Sequence, residues 1–149
     1  MTSPPLPGTG RRIVTASVVG TLLLLVTSIL SVTVEASDLV AAIVDLLLFA
    51  GGVVIFLWAY AIAVGRSRTD EIGIGGLYFL SGSAPRWAQA RLLGSLGAEV
   101  VIALAAAGIR PFSSVAFAIL APMWGLGLSG LWGARYGRFG PRSPAGGGR

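Results

Sequence analysis

From Ile13 to Val34 the chain carries no charged side chain and includes the block Leu22-Leu23-Leu24-Leu25-Val26. A helix needs only ~20 such residues, rising ~1.5 Å each, to cross ~30 Å of hydrocarbon. A soluble fold would break so long a run with charged positions for its wet face, so the bilayer is the natural solvent for this segment. A cleaved secretory signal is the competing reading, with Arg11-Arg12 as its basic region and Val34-Glu35-Ala36 as its cleavage site. The run exceeds the ~7–15 residues of a typical signal core, which favours a retained span.

Three further apolar runs follow. One extends from about Leu39 to Val64, interrupted by the single carboxylate Asp45, and ends with Trp58 and Tyr60 near Arg66 and Arg68, the mixture a membrane–water boundary favours. Another begins after Pro85-Arg86-Trp87, with proline suited to a first helical turn, and reaches Ile109 with Glu99 inside it. The last runs from Phe112 to about Gly133, contains Pro122, and ends in Trp132, Arg135 and Tyr136; Pro122 predicts a kink, because neighbouring helices can satisfy the backbone group that proline frees. Across the whole chain 54% of residues are hydrophobic, only 11% are charged and the mean hydropathy is +0.83, too apolar for a soluble domain. The reading is an all-α membrane protein, a compact bundle of four transmembrane helices spanning about 13–34, 39–64, 88–109 and 112–133.

Arginine placement sets the expected orientation. Arg11 and Arg12 precede the first span, Arg66, Arg68, Arg86 and Arg91 surround the central connection, and Arg135, Arg138, Arg142 and Arg149 follow the last span, whereas the other two connections hold only Arg110. Positively charged loops stay in the cytoplasm, so both termini are expected there, with two tight hairpins facing outward near Glu35 to Asp38 and near Arg110-Pro111. Residues 1–12 and 138–149, rich in proline, glycine and serine, read as disordered cytoplasmic tails around a membrane domain covering 13–137. Within the 65–87 connection, Ile72 to Leu80 is apolar and reads as an interfacial or shallow re-entrant segment. Its glycines lack the lysine and the strand–helix setting of a phosphate loop.

Cysteine and histidine are absent, which removes disulfides, thiol nucleophiles, imidazole bases and the commonest zinc, haem and iron–sulfur ligands. No cofactor, metal site or catalytic residue is expected. All eleven basic residues are arginine, as a high-GC coding bias alone would produce, and the basic balance implies no nucleic-acid partner.

Asp45 and Glu99 are the candidate polar site, since a carboxyl group inside a span is costly and normally faces protein, a partner or water. One or two turns from Asp45 lie Ala41, Gly52 and Ala59, and from Glu99 lie Ser95, Ala103 and Ala106, small residues that permit close helix packing. Each acid is expected roughly 10–15 Å from the outer helix ends, so the two can approach one another at similar depth. Two acids so placed would share a proton and suit a proton or cation relay. The structural alternative takes precedence: an acid that ties helices together through Ser17, Thr21 and Ser28 of the first helix, with Ser95 in support. Arg110 is expected to pair with Glu35 or Asp38 at the rim. Gly125, Ser129 and Gly133, at successive i+4 positions, present a flat face for another helix of this chain or of a partner.

The stretches Ser83-Ala84-Pro85-Arg86, Arg110-Pro111-Phe112 and above all Gly130-Leu131-Trp132-Gly133-Ala134-Arg135-Tyr136-Gly137 resemble a family of small, uncharacterised multi-pass integral membrane proteins of high-GC bacteria. The resemblance covers roughly the C-terminal half and implies a bacterial cytoplasmic-membrane location, with no activity or site residue to carry over. The expected function is that of a noncatalytic accessory or assembly subunit whose partners are the lipid bilayer and another membrane protein or a second copy. An oligomeric proton- or cation-coupled transporter or channel using Asp45 and Glu99 is the alternative, and a membrane-embedded enzyme ranks third.

Overall fold

In a computed structural model that describes residues 10–142, except the Glu35 side chain, four helical spans form the expected bundle. Helix α1 covers Arg11–Thr33 and α2 covers Asp38–Arg66, separated by a 3-10 turn at Glu35–Ser37. A short helix α3, Ile74–Tyr78, precedes α4 at Arg86–Ile109, where Pro85 sits at the N-cap. The fourth span, Ser114–Tyr136, is composite: a 3-10 segment over Ser114–Leu120, then α5 at Met123–Tyr136. Pro122 therefore marks a change of helix type and caps α5, where a kink in one continuous helix was expected. Its ring removes the N–H and crowds the preceding turn, while its fixed φ suits the start of a new helix.

The spans pack with their small and hydroxyl residues inward and their large aliphatics outward. Ala41, Asp45, Leu48, Gly52, Ala59 and Ala63 form the buried stripe of α2, and Ala88, Leu92, Ser95, Glu99, Ala103 and Ala106 that of α4, whereas Leu46, Leu47, Val54, Leu57, Val101 and Leu104 are exposed. Lipid solvates leucine as well as protein does, so close backbone approach rather than aliphatic burial selects the inner face. Helix α2 packs mainly on α5, α1 mainly on α4, and the 3-10 segment lies against both α2 and α4. Helix α1 also touches α5 across the bundle, so α2 and α4 stand at the ends of the long diagonal.

Two clasps close the ends. At the hairpin end, the Arg110 guanidinium donates to the Ser31 carbonyl and to Asp38 Oδ1, both at 2.8 Å, joining α1, α2 and α4; Asp38, of the two acids expected, is the partner seen. At the opposite end, which carries both termini, Arg66 pairs with Asp70 at 2.8 Å and donates to the carbonyls of Ala134 (2.7 Å) and Gly137 (3.1 Å). A cation there also answers the negative end of the α5 dipole.

The expectation of a disordered tail from residue 138 fails at its start. Arg138 N–H donates to the Ser83 carbonyl, Glu71 N–H to Gly140, and Arg142 N–H to Thr69, so residues 138–142 are stitched along the central connection. The cause is local: backbone pairing with 69–71 and 83, plus Phe139 lying under the Arg66 guanidinium, anchors a segment whose composition alone signals a coil. The remaining tail positions of that expectation, 143–149, and those of the N-terminal arm up to residue 9, lie outside the described residues, while Arg11 and Arg12 already belong to α1.

In the central connection, Tyr78 stacks on Phe56 at 4.4 Å and donates to its carbonyl, while Ile74 and Phe79 stay exposed. Helix α3 packs mainly on α5, and its Leu77 and Tyr78 join a buried cluster with Ala59 and Ala63 of α2 and Ala134 of α5. Leu80, at φ +56°, occupies the left-handed position after α3, and Ser81 N–H donates back across it to the Gly75 carbonyl six residues earlier. Glycine usually fills this position. Here the side chain is fully buried against Ala88, Leu92 and Trp132, and that packing offsets the ~1–2 kcal/mol of backbone strain.

Candidate functional site

Glu99, 1% exposed on α4, sits where α1, α4 and α5 meet. Gly125 N–H of α5 donates to Oε2 at 3.0 Å, and Thr21 Oγ1 of α1 lies 2.9 Å from Oε1. Gly125 is needed for this approach, since a Cβ there would stand 2.5 Å from Oε2. Thr21 Oγ1 is also 3.0 Å from the Ser17 carbonyl. A hydroxyl has one hydrogen and can fully serve only one of these two oxygens. Both contacts become hydrogen bonds if Thr21 donates to the Ser17 carbonyl and accepts from Glu99 Oε1–H. The clamp is complete, with every hydrogen placed, when Glu99 is the neutral acid.

Asp45, 2% exposed, lies on the inward stripe of α2 between Ala41 and Leu48; Leu48 packs with Val115, Ala118 and Ala121 of the composite span. Its Oδ1 is buried without a hydrogen-bond partner. Asp45 and Glu99, whose similar depth allows an approach, do not hydrogen-bond to one another: both oxygens of Glu99 are engaged elsewhere, and the two acids belong to helices on the long diagonal, with the composite span and α1 between them. Similar depth along two helices is a statement about rise, and it carries no information on which helices are neighbours.

The supporting residues divide in the same way. Thr21 is a clamp member, while Ser17 contributes its carbonyl and leaves its own Oγ unpartnered. Ser28 lies on the hairpin half of α1, lining an apolar groove with Val32, Ile102 and Ala106 and bonding neither acid. Ser95 is buried one turn from Glu99. On α5 the Gly125, Ser129 and Gly133 face is covered within the chain: Gly125 against Glu99 and Leu96, Gly133 against the Leu77 carbonyl, and Ser129 fully buried.

Sequence reasoning missed three positioning residues. Trp124 donates through Nε1 to the Ala16 carbonyl at 3.1 Å, Arg66 holds the C-terminal end of α5, and Leu80 anchors α3. Each acts on a partner distant in sequence, so no local pattern signals it. Among the described residues no cluster of three potential metal-ligating side chains occurs. One recess of about 400 Å³ lies between Phe56, Tyr60, Val64, Ile74 and Tyr78, and another of about 440 Å³ lies between Arg11, Arg12, Thr15 and Trp124. Comparison with protein-family models, curated proteins and solved structures finds no match for this chain.

Proposed function

We propose that this chain is a noncatalytic accessory or assembly subunit of a bacterial cytoplasmic-membrane complex, with both termini in the cytoplasm, and a member of the family its C-terminal half resembles. The observation that carries the reading is the engagement of Glu99 in a clamp made wholly of this chain, on the far diagonal from Asp45. A relay built on paired acids needs them adjacent and reachable by water. Charges at both ends likewise serve the bundle itself, Arg110 on Asp38 and Arg66 on Asp70 and α5. The orientation is supported by the end that carries both termini, where Arg11, Arg12, Arg66, Arg68, Arg86, Arg91, Arg135, Arg138 and Arg142 face only Asp70 and Glu71.

The second reading, a proton- or cation-coupled transporter, is favoured by one feature, the unpartnered Oδ1 of Asp45. Purification from native membranes after mild cross-linking, paired with proton and cation flux in liposomes, separates the two. A single stoichiometric membrane partner and no flux support the accessory role. Flux that collapses in D45N/E99Q at matched incorporation overturns it.

A further inference from the structure

We propose that the recess of about 440 Å³ beside the first turns of α1 is a binding site for one anionic phospholipid, its phosphate held by Arg11 and Arg12 and its acyl chain laid over Val19 and Trp124. The site requires only that the bundle lies in a bilayer, and it holds for either reading of the chain's role.

The recess is built from one stripe of α1 and one side chain of α5. Arg11, Arg12, Thr15, Ala16 and Val19 follow one another at helical spacing, and Trp124 closes the lower end. The indole is held there by its Nε1 bond to the Ala16 carbonyl at 3.1 Å, and it fits because Gly20 has no side chain to collide with it. From the arginines to Val19 the helix rises roughly 10–12 Å. Along that length the lining changes from guanidinium to hydroxyl to aliphatic and indole, the order in which a phospholipid presents phosphate, ester and acyl chain. A free inorganic anion would leave the lower half uncovered.

No group of this chain among the described residues satisfies the upper half. Both arginine side chains are exposed, and neither guanidinium has an ion pair or a hydrogen bond there. At that end Arg66 occupies Asp70, Glu71 is the one other acid, and residues 1–9 and 143–149 include no acidic side chain. Two guanidiniums without a carboxylate call for an anion from outside, and each presents the forked N–H donors that fit a phosphate. Thr15 is open in the same way. Thr21, Thr27 and Thr33 of α1 donate to carbonyls of their own helix, whereas the exposed Thr15 hydroxyl makes no such bond. Lower down, Val19 is 56% exposed beside a half-buried Trp124, so this part of the recess faces out of the bundle. Anionic headgroups are drawn to basic residues at a membrane surface, and here an apolar trough lies directly beneath two of them.

Photolabelling of the full-length protein in phosphatidylcholine nanodiscs tests this, with trace phosphatidylglycerol carrying a diazirine midway along one acyl chain. Label is expected on Thr15 to Val19 and on Trp124, in excess over the comparably exposed Leu46, Leu47, Val101 and Leu104. Competition with unlabelled lipid should give the recess a roughly thirtyfold preference for phosphatidylglycerol over phosphatidylcholine, about fivefold for each guanidinium. R11Q/R12Q should lose that preference. R68Q/R86Q, which removes two exposed charges outside the recess, should keep it; all four side chains are exposed, so both variants should fold. Label spread evenly around the bundle means that no lipid is seated. An equal fall in both variants means a diffuse attraction to the basic end, and displacement of the label by inorganic phosphate as efficiently as by phosphatidylglycerol means a site for a free anion. Each of these three results would overturn the proposal.

Discussion

Replacing Gly52 by alanine tests the α2–α5 crossing on which the bundle depends. The added carbon would stand 2.4 Å from the Met123 carbonyl carbon, 2.5 Å from its oxygen and 2.5 Å from Trp124 N. These are backbone atoms of α5, so no rotamer change relieves the clash, and the helices must part by about 1 Å to restore contact at 3.4 Å. Overpacking of this kind costs ~1–3 kcal/mol. Better helix propensity returns up to ~1 kcal/mol, and loss of the Gly125 N–H bond to Glu99, stretched beyond its 3.0 Å as α5 recedes, removes a similar amount. The net expectation is a loss of about 1–3 kcal/mol. Gly97→Ala is the matched control: the same methyl on α4 meets nothing within 4 Å, so stability should hold or rise by up to ~1 kcal/mol. Reversible unfolding in mixed detergent–lipid micelles, or steric trapping in bicelles, measures both. Equal stability of G52A and wild type, or an equal fall in G97A, would refute the reasoning.

Glu99→Gln should cost less than ~1 kcal/mol, since its amide can donate to Thr21 and accept from Gly125 as the neutral acid does, whereas Glu99→Ala leaves the buried Gly125 N–H without its partner and a cavity beside it, and should cost ~2–3 kcal/mol in the same assay. A double-mutant cycle on Arg110→Ala and Asp38→Ala should give a coupling below ~1 kcal/mol for a pair about a quarter exposed. Arg66→Met should free the docked tail, with amide exchange at Glu71, Arg138 and Arg142 rising about tenfold by mass spectrometry while α1 exchange stays unchanged. Asp45→Val should hold or gain ~1 kcal/mol, because it removes a buried oxygen without a partner; a comparable loss would reveal a bond that Asp45 makes in the membrane.

The four spans were legible because hydrocarbon thickness and the cost of charge act on composition alone, within a window the length of one helix. Which residues faced inward was also legible: Ala41, Gly52, Ala59, Ser95, Ala103 and Ala106, one or two turns from the two acids, are all buried. Helix order around the bundle was not. Asp45 and Glu99 share a plausible depth in any arrangement, and only the cross-bundle contact of α1 with α5, allowed where Gly20 admits Trp124, keeps them apart. The docked 138–142 segment was hidden for a related reason: its order comes from backbone pairing with residues 55 to 73 positions earlier, and backbone groups leave no mark in composition.

The composite fourth span shows how the least apolar segment can be the most buried. Its hydropathy is 1.6 against 2.0–2.7 for the others, and 44% of it is buried against 22–33%. Helix α5 alone has 14 residues, roughly 20 Å, too short to cross. The preceding seven 3-10 residues, at ~2.0 Å each, add roughly 14 Å and complete the span. A 3-10 helix has weaker internal hydrogen bonds than an α-helix and is not expected to stand alone in lipid, yet here it is flanked by α2 and α4. The glycines of α5 exact the same dependence, because they gain from close contact and lose without it. The fourth span is therefore stable as a docked element more than as an inserted one. Its docking contacts, Glu99 on Gly125, Gly52 on Met123 and Arg66 on Ala134, are the places where a single substitution reaches the whole fold.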